Sequence, residues 1–202
     1  MKKILIFLWL SIFMQCQTQN KFEKIMDNKF EKINIDEYKK NQKNNTLILN
    51  QENKKIIIFH LENNYFSDVY ENNNPFKIEK IFFINGNIKE KALAFNNGAS
   101  VGTWYHFDET GRLIKEENTD EGYDFKPEDV VKYCESHKIK LPKGYQDSGY
   151  KTSVYKKEID GKKVWQISYV IAVGKEEFIE EIILDGKTGK LIKKKQVSYI
   201  NN

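Results

Sequence analysis

Cysteine, proline, histidine and arginine are all scarce in this chain of 202 residues, which has two, three, three and one of them respectively. Two cysteines cannot build a disulfide-stapled scaffold. With Arg112 as the only arginine, the bidentate fork that grips phosphate and carboxylate is nearly missing. The net charge is only +4, and Lys2 and Lys3 at the extreme N-terminus supply two of those charges. So small an excess gives no basis for nucleic acid as a partner. The histidines His60, His106 and His137 fall in neither a His-x-x-x-His nor a His-Glu-x-x-His spacing, so no pair is set to share a metal.

Other chemical signatures are equally thin. Gly186-Lys187-Thr188-Gly189 lacks the first glycine of a phosphate-cradling loop and runs into an apparent strand, so it reads as a hairpin turn. Asp120, Glu121 and Asp124 lack the Asp-x-Asp-x-Asp-Gly spacing of a calcium loop. His106 and Asp108 could share a strand face as base and orienter, yet no serine or cysteine nucleophile is placed beside them. His137 lies one turn beyond Cys134, which offers only two ligands from one helix. The expectation is a protein with no catalytic residues, no metal and no cofactor.

What is abundant is apolar and aromatic side chain, 40% and 13% of the chain, enough for a packed core. The first 15 residues combine Lys2 and Lys3 with an apolar run from Ile4 to Met14 and lead into Cys16 and a polar stretch. That is the layout of a secretory signal, and the run is well short of the roughly 20 residues that span a bilayer. The cysteine just after it, beyond Gln15, resembles the lipid attachment point of a bacterial lipoprotein. The resemblance implies export, a lipid on Cys16, and tethering to a membrane of the cell envelope. Ordinary cleavage nearby with Cys16 unmodified, and a Cys16–Cys134 disulfide, are the competing readings.

Residues 16–45 are rich in Lys, Asn, Gln and Glu, with Lys-Phe-Glu-Lys-Ile at both 21–25 and 29–33, and read as a polar tether with some helical tendency. Short apolar runs then alternate at 54–62, 64–70, 76–84, 87–95, 99–107 and 112–118, bounded by Asn, Gly or Asp, which predicts an antiparallel meander. Asn85-Gly86 predicts a type I′ turn, and Asn96-Asn97-Gly98 and Asp108-Glu109-Thr110-Gly111 close further hairpins. Pro127 opens a helix whose Val130, Tyr133, Cys134 and His137 share a face, with Lys138 and Lys140 at its end before Pro142. Strands resume at 151–159, 163–171, 177–185 and 190–199; Lys193-Lys194-Lys195 in the last reads as an edge-strand solubility device. The fold class is α+β, mostly β: a meander over 46–123, then over 124–202 a helix packed on an antiparallel sheet.

Two family resemblances follow from these residues. Gly102-Thr103-Trp104-Tyr105-His106-Phe107-Asp108-Glu109-Thr110-Gly111-Arg112-Leu113-Ile114 resembles the repeat of MORN-like, antitoxin-type proteins, which implies a flat sheet used for contact and no active site. The helix, the strand Val164-Trp165-Gln166-Ile167-Ser168-Tyr169-Val170-Ile171 and the Asp185-Gly186-Lys187-Thr188-Gly189 hairpin are similar to PepSY-type domains, which implies export and binding to proteins. On this reading the chain is a non-catalytic envelope lipoprotein that binds a protein partner, with immunity against a secreted toxin as the alternative. Trp104, Tyr105, Phe107, Trp165 and Tyr169 are the candidate contact residues.

Overall fold

A computed structural model describes residues 26–199; the proposed signal segment 1–15 and Cys16 lie outside them. Among the described residues eleven strands and two short helices make a mostly β, α+β structure with wholly antiparallel sheets. The first sheet takes seven strands in chain order: β1 (Thr46–Gln51), β2 (Lys54–Leu61), β3 (Asn64–Glu71), β4 (Phe76–Phe83), β5 (Ile88–Phe95), β6 (Ser100–Phe107) and β7 (Leu113–Asn118). The second has the order β11-β10-β9-β8, from β8 (Ser153–Ile159), β9 (Lys162–Val173), β10 (Glu176–Asp185) and β11 (Leu191–Ser198). Helix α1 (Ile35–Asn41) precedes the first sheet, and α2 (Pro127–Ser136) stands between the two. Among the described residues no helix is long and apolar enough to cross a membrane.

Turn chemistry sets the register. At the β4–β5 hairpin Asn85 keeps an ordinary φ and Gly86 alone is left-handed, at +85°. Gly86 N–H donates to the Phe83 carbonyl and the ladder slips by one residue after Ile81. The turn is thus a three-residue loop closed by a bulge rather than the expected type I′ turn. Two consecutive positive φ angles, as in a type I′ turn, occur at Asn44-Asn45 just before β1 and at Asp160-Gly161 between β8 and β9.

One face of the first sheet is covered by the chain's own N-terminal segment, where the composition suggests a polar tether. Residues 26–33 run across the sheet as a strap: the Glu31 carbonyl accepts from Ile88 N–H at 3.0 Å and Ile33 N–H donates to the Gly86 carbonyl at 2.9 Å. Helix α1 follows, its first turn capped by the Asn34 side chain, which accepts from Glu37 N–H. Ile33 and Tyr38 bury against Leu47, Ile58, Tyr65, Phe82, Ile88 and Phe107. Ionic contacts reinforce the strap: the Glu31 carboxylate meets Lys80 at 2.5 Å and Lys91 at 2.8 Å, and Lys91 is only 1% exposed.

The rest of that inner face is covered by the second sheet and α2. Phe76, Leu93, Phe95 and Val101 from the first sheet share a core with Val154, Trp165, Ile167, Ile182 and Leu184 from the second and with Val130 and Cys134 from α2. Pro127 occupies the first turn of α2, and Asp129 accepts from Lys126 N–H. The helix ends at Ser136, so Lys138 falls beyond it in a left-handed conformation, and His137 is exposed, stacked on Tyr133 at 3.9 Å. Close polar contacts also join the sheets. Gly98 lies so close to Val154 that a Cβ there would stand 2.0 Å from its carbonyl oxygen. Lys156 of β8 donates to the Ser100 and Thr119 carbonyls at 2.7 and 2.8 Å and pairs with Asp120.

Candidate protein-contact face

Strand alternation divides the first sheet into two faces. Residues such as Leu47, Ile58, Tyr65, Phe82 and Phe107 point inward. The cross-strand register places a second set on the outer side: Phe59 opposite Phe66, Phe66 opposite Ile81, Ile81 opposite Glu90 and Glu90 opposite His106. A neighbouring row runs from Ile48 to Ile57, Asp68, Glu79 and Ala92. None of these side chains belongs to either core cluster. The outer face nevertheless carries a run of apolar side chains across β1 to β4: Ile48, Ile57, Phe59, Phe66 and Ile81. Phe59 and Phe66 stack at 5.1 Å with planes 9° apart, and Ile48 is 48% exposed. Trp104 and His106 stack at 5.1 Å further along, on β6.

Charges frame the apolar strip. Lys77 reaches Asp68 at 3.0 Å and Glu79 at 2.8 Å, and the Tyr70 hydroxyl donates to Asp68 at 3.1 Å. Burial and then the Asp68 charge push the Tyr70 phenol up to about 12. Burial pulls Lys77 down, but the Asp68 and Glu79 carboxylates outweigh it and hold the ammonium above its ordinary value. His106 lies 3.8 Å from the Glu117 carboxylate. Glu90 has no ion-pair partner among the described residues. At one end the loop after α2 reaches this face, with Lys55 3.8 Å above the Tyr145 ring and Tyr70 edge-on to it.

The residues singled out from the sequence do not converge on this face. Trp104 lies on it. Tyr105 points the other way and packs against both core clusters. Phe107 and Trp165 are 3% and 0% exposed, so they are core and correct the expectation that they offer a contact surface. Trp165 donates its Nε1–H to the Phe125 carbonyl at 2.9 Å. Tyr169 is half-buried on the inner side of the second sheet; its hydroxyl donates to the Glu180 carboxylate, and burial and that contact hold its phenol above the usual range. The candidates read from the sequence do not include Ile57, Phe59, Phe66 or Ile81. The signal for them is apolar runs that fill both parities and so dress both faces: Ile56-Ile57-Ile58-Phe59, Tyr65-Phe66 and Ile81-Phe82-Phe83.

The described residues include no group of three or more His, Cys, Asp or Glu side chains set to hold a metal. Asp108 is consumed by its turn, accepting from Thr110 and Arg112, and does not orient His106. Asp185 does the same for Lys187 and Thr188, so the Gly-Lys-Thr-Gly segment is a hairpin turn. Burial pushes the Cys134 thiol up to about 12, the opposite of what a nucleophile needs. A cavity of about 250 Å³ between β6 and α2 contains Asp120, Lys126 and Glu128. Its polar groups are largely committed: Asp120 pairs with Lys156, and Lys126 donates to the Tyr123 carbonyl. Comparison of the chain with protein-family models, with curated proteins and with solved structures found no match.

Proposed function

We propose that this chain is a non-catalytic protein-binding module of the bacterial cell envelope, exported, tethered by a lipid on Cys16, and that it takes its partner on the outer face of β1 to β4. The observation that carries the reading is the aromatic and aliphatic strip of Ile48, Ile57, Phe59, Phe66 and Ile81. The inner face of the sheet is already filled by the strap, α1, α2 and the second sheet. An outer face that only had to meet water would alternate to polar residues at these positions. A contiguous apolar patch instead marks a contact surface. Charge defines the partner further: it is a protein offering apolar side chains and a lysine or arginine placed to meet Glu90.

The leader residues support export. The test is an affinity measurement on a partner recovered from envelope extract, comparing the parent with Phe66→Lys and Glu90→Lys. Both side chains are half-buried on the outer face and neither joins the core, so melting should move by only a few degrees. Affinity should fall at least tenfold in each, consistent with loss of a central contact. Undiminished binding by folded Phe66→Lys would remove the outer face from the account.

A further inference from the structure

The two sheets end in four edge strands, β1, β7, β8 and β11, and these are protected unequally. Unpaired strand edges invite pairing with other chains, and charged residues are a common defence. β11 carries Lys193, Lys194 and Lys195; β7 carries Lys115, Glu116 and Glu117 and a register shift; β8 carries Lys156, Lys157 and Glu158 and is bonded through Val154 to Asn97 and Ala99. β1 reads Thr-Leu-Ile-Leu-Asn-Gln, with no charge and no proline, and pairs with β2 without a bulge.

The hydrogen bonds available at that edge can be read from its register. Gln51 and Lys54 close a two-residue turn and form a hydrogen-bonded pair, so Leu49 with Ile56 and Leu47 with Ile58 are the next such pairs. The N–H and C=O groups of Thr46, Ile48 and Asn50 therefore face away from β2. Those of Thr46 are taken by Lys43, at 2.9 and 2.8 Å. Ile48 and Asn50 are exposed and keep two donors and two acceptors at the free edge.

We propose that the β1 edge pairs with the β1 edge of a second copy of this chain, antiparallel, about a two-fold axis at Leu49. Ile48 then lies opposite Asn50 of the other copy, and four hydrogen bonds use every free group on both edges. Moving the axis to Ile48 would set Asn50 against a Thr46 already engaged with Lys43, so the register is selected. A second copy fits because an uncharged edge is self-complementary, whereas self-pairing of β11 would set lysines against lysines. Cross-strand neighbours share a face, so the Ile48 and Ile57 side chains of the two copies would extend one apolar strip.

Sedimentation of the full chain over a concentration series tests this directly. The parent should pass from monomer to dimer. Asn50→Pro, which deletes an edge donor without touching the ladder to β2, should weaken the dimer at least tenfold while the monomer melts within a few degrees of the parent. Leu49→Cys should oxidise to a covalent dimer with the disulfide mapped to position 49, because Cα atoms of a non-hydrogen-bonded pair lie about 4.5 Å apart. Leu191→Cys on β11 should not. A parent that stays monomeric at every concentration, a dimer indifferent to Asn50→Pro, or equal cross-linking at Leu191→Cys would each overturn the proposal.

Discussion

Replacing Glu31 with alanine tests whether the strap is an integral part of the fold. The carboxylate bridges Lys80 at 2.5 Å and Lys91 at 2.8 Å. Its loss deletes two charge-assisted hydrogen bonds, each of order 1.5–3 kcal/mol, and leaves Lys91 buried at 1% exposure. Asp27 at 3.3 Å and the Lys29 carbonyl at 2.9 Å still serve Lys91, and the Glu31 side chain is 34% exposed and partly screened. The cost therefore belongs near the low end of the roughly 3–5 kcal/mol lost when one partner of a buried pair is removed, about 3 kcal/mol. At about 2–4 °C per kcal/mol for a body of this size, Tm should fall by about 6–12 °C in a circular-dichroism melt.

Acid should act through the same carboxylate. Burial raises the Glu31 pKa, but Lys80 and Lys91 outweigh it and hold the group below its ordinary value. A depressed folded pKa means the unfolded chain binds the proton more readily. The stabilisation is therefore present above the unfolded pKa of about 4.3 and is lost as pH falls through the lower folded value. Glu31→Ala should lack that component of the acid transition. Adding Lys91→Met removes the stranded charge and should recover part of the loss. A Glu31→Ala chain melting within about 1 °C of the parent, or a double variant melting lower than the single one, would show that this carboxylate does not hold the strap.

Three further outcomes are expected. Gly98→Ala should destabilise the chain by about 3 kcal/mol in urea titration, because its Cβ would stand 2.0 Å from the Val154 carbonyl oxygen and the two sheets must part to admit it; an unchanged midpoint would contradict that contact. Trp165→Phe should cost about 2–3 kcal/mol, from the Nε1–H bond to Phe125 and the lost ring volume, and should abolish a blue-shifted component of tryptophan emission. Cys134 should resist alkylation at pH 8 until the chain unfolds, since burial pushes its thiol up to about 12; rapid labelling of the native protein would be inconsistent with its place in the core.

Much of the strand order was legible because turn residues punctuate it: the expected runs lie within a few residues of β2 to β11, and Pro127 marks α2. β1 is hidden in the sequence because Thr46–Gln51 directly follows an Asn- and Lys-rich stretch, and the strap is hidden for a related reason, although α1 falls where a helical tendency is expected. Met26, Ile33 and Tyr38, the residues that bury this segment, are spaced too widely to show as a period among polar neighbours. The burial of Phe107 and Trp165 was not legible for a different reason. Alternation along β6 separates Trp104 from Tyr105 and Phe107 but does not say which parity meets the core; that depends on what covers the sheet, a long-range property. Trp165 illustrates the same limit, since a large aromatic ring on a strand suits a core and an interface equally well.

Photo-cross-linking in intact cells shows whether the outer face of β1 to β4 meets a protein partner, with the photoreactive side chain placed at Ile57 or Ile81 and, for comparison, at Tyr155, an exposed residue of the second sheet. A partner on the outer face gives a discrete cross-linked protein species from Ile57 and Ile81 and none from Tyr155. Cross-linking confined to Tyr155, or absent from both outer-face positions, would place the partner elsewhere.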